Sequence, residues 1–130
     1  MNNVFLKKMP PWVMTAVVVL AILWLTLAPK PLPDSDVHWF EGADKVVHGC
    51  MFGGLFFVMG LDWVISGRKL GLPVGMALAG VCVAFGGGIE LVQGAMDMGR
   101  GCDVWDFVAD TAGVALSLAV TPVIVRWLTR

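Results

Sequence analysis

Apolar residues in this chain gather into four blocks, parted by short stretches rich in proline, glycine and charge. The first block covers residues 11–28, the second 46–65, the third 72–96 and the fourth 104–125. A hydrocarbon core roughly 30 Å thick takes about 20 apolar residues of helix to cross, so each block has about the length of one crossing. No block alternates with period two, which argues against barrel strands. In lipid every backbone donor and acceptor must be satisfied within its own segment, so helices are expected. Pro10 and Pro11 suit a helix start. Pro29, Pro31 and Pro33 stop the first block, and Ser66-Gly67-Arg68-Lys69 closes the second. The pattern predicts an all-α membrane protein: one domain over residues 1–130, folded as a four-transmembrane-helix bundle.

Composition agrees. Hydrophobic residues make up 58% of the 130 and charged residues 15%, where soluble domains are nearer half and a quarter. Mean hydropathy is +0.80. A soluble enzyme, a disulfide scaffold and a disordered tail are excluded, and a net charge of −1 leaves no footprint for nucleic acid. The first block also has the outline of a signal peptide, with Lys7 and Lys8 before it and Thr26-Leu27-Ala28 at its end. The proline after Ala28 and the length of the run favour a retained helix.

Lysine and arginine in short loops set orientation. With four crossings, Lys7, Lys8, Arg68, Lys69, Arg126 and Arg130 share one side, against Lys30, Lys45 and Arg100 on the other. Both termini are therefore expected in the cytoplasm, as in a multi-pass membrane protein. Trp12, Trp63 and Trp127 fall at the inner boundary, and Trp39 and Trp105 near the outer one, as aromatic belts do. The acids gather outside, with Glu90 and Asp110 a turn or two deeper. Asp62 alone lies at the inner end, where Arg68 and Lys69 are expected to neutralise it.

Some polar residues have no reason to face lipid. Asp44 and His48 are four apart and share a helix face. Gly86, Glu90, Gln93 and Asp97 share another, and Asp103, Asp106, Asp110, Gly113 and Ser117 a third. These stripes are expected to converge near the outer mouth of the bundle, under Arg100. The candidate ligand-binding residues are thus Asp44, Lys45, His48, Glu90, Gln93, Arg100, Asp103, Asp106 and Asp110. A charge at mid-bilayer costs about 2.5–3.5 kcal/mol on insertion scales. Asp44, Glu90, Asp103, Asp106 and Asp110 face only Lys45 and Arg100 as fixed cations, so the negative excess must be hydrated, protonated or met by a cation. The blander reading makes these residues interhelical clamps worth about 0.6 kcal/mol each.

Gly49 and Gly53 in the second block, and Gly80, Ala84 and Gly88 in the third, form small-x-x-x-small steps that let helices approach closely. Gly86-Gly87-Gly88 is also a place where the third helix can kink. Met51, Phe52, Phe56, Phe57 and Met59 read as packing or lipid-facing residues. Cys50 and Cys102 both fall toward the outer side, which leaves a disulfide open as an alternative. No His-x-x-x-His or Glu-x-x-His step organises His38 and His48 with the carboxylates, so neither a metal nor another cofactor is expected. No Gly-x-Ser-x-Gly elbow is present.

Asp44-Lys45-x-x-His48 opening the second block, Glu90-x-x-Gln93 ending the third, and Arg100-x-x-Asp103-x-x-Asp106-x-x-x-Asp110-x-x-Gly113 entering the fourth resemble the VanZ-like family. The resemblance spans about residues 44–113. Asp110 stands where many members have asparagine. The resemblance implies a small bacterial integral membrane protein of the cell envelope, in a family whose name-giving member is tied to resistance to the glycopeptide teicoplanin. Three functions compete. One is binding or processing of an envelope lipid or cell-wall intermediate, with Lys45 and Arg100 on an anionic headgroup and Glu90, Asp106 and His48 as candidates for acid–base work; whether a reaction occurs stays open. The second is a structural or interaction protein whose polar cluster only locks the bundle, with membrane lipids and further copies of itself as partners. The third is a proton or cation path, for which the inner half of the spans offers few stations.

Overall fold

A computed structural model describes residues 8–27, 43–96 and 104–128. Among these residues are four helices, α1 (Val13–Leu27), α2 (Ala43–Ile65), α3 (Leu72–Met96) and α4 (Val104–Leu128), and no strand. α2, α3 and α4 are long and apolar enough to cross a membrane. α1 is equally apolar but has 15 residues, which rise about 22 Å, short of the hydrocarbon thickness. α2 begins earlier than the apolar pattern indicates and takes Lys45 into its first turns. α4 runs on through Pro122 to Leu128.

The end of α2 follows from one residue. Gly67 has φ +84°, a left-handed conformation open to glycine at little cost. The Gly67 N–H then bonds the Val64 carbonyl and the Arg68 N–H the Trp63 carbonyl, the paired bonds of a Schellman cap.

The helices alternate in direction. Thr15 of α1 meets Asp62 near the end of α2. Gly86 and Gly75 of α3 meet Asp110 and Leu118 of α4, so these two run antiparallel. α2 and α4 run parallel, with Gly49 beside Ala109, Gly53 beside Gly113 and Gly60 beside Thr121. Theirs is the most extensive contact in the molecule. The core between the helices holds Ile22, Phe52, Leu55, Phe56, Met59, Leu78, Cys82, Ile89 and Val114.

Glycine sets the α2–α4 distance. A Cβ on Gly113 would stand 2.8 Å from both Cα and C of Gly49, and closer still to its carbonyl oxygen. The small-residue step on α2 therefore does what its spacing predicts. The step on α3 does not: Gly80, Ala84 and Gly88 are exposed, and nothing lies within 4 Å of where a Cβ on Gly80 or Gly88 would sit. The tight positions of α3 are Gly75, Gly86 and Gly87 instead, and the helix passes through the glycine triplet unbroken.

Asp62 also departs from expectation. It is 3% exposed, and its Oδ2 accepts the backbone N–H of Thr15 at 3.0 Å and the Thr15 hydroxyl at 2.6 Å. A helix start has spare N–H donors and a partial positive charge, so α1 itself neutralises Asp62. Arg68 lies instead over the Trp63 ring, 4.6 Å from its centroid. Arg68, Lys69 and Arg126 share the margin of one small pocket, which gathers basic residues at the end of the bundle opposite the acidic one.

Candidate functional site

At the acidic end, the starts of α2 and α4 meet the last turns of α3. An i, i+3 and i, i+4 rhythm turns Lys45, His48 and Gly49 of α2 toward Asp106, Asp110 and Gly113 of α4. Asp106 lies in the first turn of α4, where the helix dipole favours a carboxylate.

Lys45 Nζ donates to Asp106 Oδ1 at 3.2 Å. His48 stands between two aspartates: Nδ1 is 2.9 Å from Asp110 Oδ1, and Nε2 is 3.6 Å from Asp106 Oδ2. Asp110 is 1% exposed, and its Oδ2 is buried with no hydrogen-bond partner among the described residues. Room for it comes from Gly86, where a Cβ would meet Asp110 Oδ2 at 3.1 Å. Glu90 of α3 is buried at 3% exposure. His48, Glu90 and Asp106 each offer one ligand atom, all within 4.8 Å of one another. That set can hold a metal ion. It has no local sequence step because its members come from three helices.

Gln93 points elsewhere: its Nε2 donates to the Thr26 carbonyl at 2.8 Å, closing a spare carbonyl in the last turn of α1. Ser117, the deepest member of the α4 stripe, donates to the Gly53 carbonyl at 2.8 Å and pairs with Thr121. The stripe on α4 therefore faces α2 along its length. Arg100, Asp103 and the side chain of Asp44 lie outside the described residues, as do Asp97, His38 and Cys102, and with them the alternatives of Arg100 clamps and a Cys50–Cys102 pair.

Sequence reasoning missed a groove. Between α2 and α4 lies a cavity of about 680 Å³, open to the side of the bundle. It starts at Lys45 and passes Gly54, Phe57, Ala112 and Leu116 to end at Ile124. Its Lys45–Phe57 wall alone rises about 18 Å. Small residues at Gly49, Gly53, Gly54, Ala109, Ala112 and Gly113 hollow it out. The signal was in the sequence, but it reads equally as helix packing. No family model, curated protein or solved structure matches this chain.

Proposed function

We propose that this chain is a VanZ-like, multi-pass protein of the bacterial cytoplasmic membrane that binds an envelope lipid or a lipid-linked cell-wall intermediate. It crosses four times, with both termini in the cytoplasm and the acidic end outward. The basic residues gathered at the opposite end support that orientation under the positive-inside rule. One observation carries the reading: the polar cluster and the apolar groove meet at Lys45. A charged cluster adjoining an apolar trough about one leaflet long fits an anionic headgroup and its hydrocarbon chain. Lys45 supplies a donor to the headgroup, and Glu90, Asp106 and His48 stand near enough for acid–base work. The link to glycopeptide resistance rests on the resemblance alone.

A second reading has its own support. Gln93–Thr26, Ser117–Gly53 and Thr15–Asp62 each tie two helices together, as a protein whose polar residues only lock the bundle would do.

Native mass spectrometry from mild detergent separates the two. Gly54 lines the groove with nothing within 4 Å of a Cβ, so Gly54→Leu fills the trough without touching the bundle. Lipid binding predicts that wild type retains a defined lipid, that Gly54→Leu loses it while keeping its stability, and that Glu90→Gln weakens it. If both variants carry the same unspecific lipids as wild type and Glu90→Gln merely unfolds sooner, the cluster is a lock.

A further inference from the structure

We propose that His48, Glu90 and Asp106 bind one divalent metal ion, with Asp110 as the group that holds His48 in its ligating orientation. The three side chains come from α2, α3 and α4 and place their ligand atoms within 4.8 Å of one another. Ligands at about 2.0–2.2 Å on a tetrahedral ion stand about 3.3–3.6 Å apart, so closure takes side-chain shifts of about an ångström. The His48 Nε2–Asp106 Oδ2 separation of 3.6 Å is already near the spacing of two ligands on one ion.

An independent observation points the same way. A ligating histidine characteristically gives its other ring nitrogen to a carboxylate, which fixes the tautomer and raises the basicity of the ligating nitrogen. His48 has that arrangement: Nδ1 is 2.9 Å from Asp110 Oδ1, and Nε2 is left facing Asp106. Asp110 itself is 1% exposed, and its second oxygen has no hydrogen-bond partner among the described residues. A buried carboxylate with one oxygen unmet is costly, and an ion reached through His48 brings the missing positive charge. Among the described residues, Asp106 and Asp110 pair with the Lys45 ammonium and the His48 imidazole.

The donor set is one imidazole and two carboxylates, which suits Zn²⁺ or Mn²⁺. The described residues supply three protein ligands, the number found in sites that also hold water or substrate. An open position gives a phosphate oxygen a cation to meet inside a pocket of acids. This last step rests on the lipid reading above; the ion itself does not.

The test uses the full chain in lipid-free mild detergent, stripped with chelator and titrated with Zn²⁺ and with Mn²⁺. Wild type is expected to take one equivalent, His48→Gln and Asp106→Asn to lose it, and Asp110→Ala to bind about 10–100-fold more weakly. Asp62→Asn, at the far end of the bundle, is expected to bind as wild type does. Wild type that takes up no stoichiometric ion overturns the proposal, and so does His48→Gln that binds unchanged. Should variants fail to fold, pulsed electron paramagnetic resonance of Mn²⁺ on wild type reads the same point: one directly bound histidine nitrogen is expected, and its absence overturns the assignment. Wild type that takes the ion yet retains no defined lipid from its membrane sinks the lipid reading alone, and wild type that retains a defined lipid yet takes no ion sinks this one alone.

Discussion

Replacing Gly113 by alanine tests the central contact of the bundle with one methyl group. That methyl would lie 2.8 Å from Cα and C of Gly49 and closer to its oxygen. Carbon atoms pack at about 3.5–4.0 Å, so α2 and α4 must part by about 0.7 Å or more. All the obstructing atoms are backbone, so no side chain can swing away. Overpacking of this kind costs about 1–3 kcal/mol. Alanine in place of glycine in a helix returns up to about 1 kcal/mol. The same substitution at Gly80 or Gly88, where nothing stands in the way, meets only the second effect. The helix gain is common to all three positions, so Gly113→Ala should be less stable than Gly80→Ala or Gly88→Ala by the overpacking cost, roughly 1–3 kcal/mol. Denaturant unfolding in mixed micelles, followed by tryptophan fluorescence, measures the difference. The displacement also reaches the polar cluster. His48 adjoins Gly49, and Asp110 lies one turn before Gly113. A bond of 2.9 Å lengthened by that amount passes beyond hydrogen-bond range. Equal stability of the Gly113 and Gly80 variants would refute the close approach and everything built on the α2–α4 register.

Three further outcomes are expected. Asp62→Ala leaves the Thr15 hydroxyl and its N–H without their acceptor, at a cost of about 1–3 kcal/mol, visible as earlier unfolding and as faster hydrogen exchange at the start of α1. Gln93→Leu removes the tie to Thr26 and costs about 0.6 kcal/mol, at most about 1.7; exchange should quicken at the end of α1 and stay unchanged in α4. Gly86→Ala places a methyl 3.1 Å from Asp110 Oδ2 and 3.3 Å from the Phe52 ring. It should weaken Zn²⁺ uptake more than it lowers stability, whereas Gly88→Ala, two residues on, should alter neither.

The helices and their polar faces were legible because period and spacing are properties of single segments. Asp106, Asp110, Gly113 and Ser117 share a face by arithmetic alone, and the structure sets that face against α2. What two segments do together was much less so. The steps Gly49–Gly53 and Gly80–Ala84–Gly88 read alike, yet one is filled by α4 and the other is exposed. Nothing local to either step distinguishes them; the partner does. Asp62 and Thr15 lie 47 residues apart, and a helix start across the bundle met that charge in place of the basic residues next in sequence. The His48, Glu90 and Asp106 set escaped for the same reason, since metal-binding spacings report ligands on one element and these sit on three. Gln93 was placed on the right face of α3, but its hydrogen bond goes to α1.

The parallel pairing of α2 with α4 has a consequence for biogenesis. Helices enter a membrane in the order in which they are synthesised. α2 brings Lys45 and His48 before Asp106 and Asp110, which pair with them, have been made. The aspartates that face Lys45 and His48 both ride on α4, which is made after α2 and α3. Until then the nascent protein carries ionisable groups facing an unfilled seam, a state that lipid disfavours. Insertion of α4 closes the glycine seam and completes the polar cluster in one event.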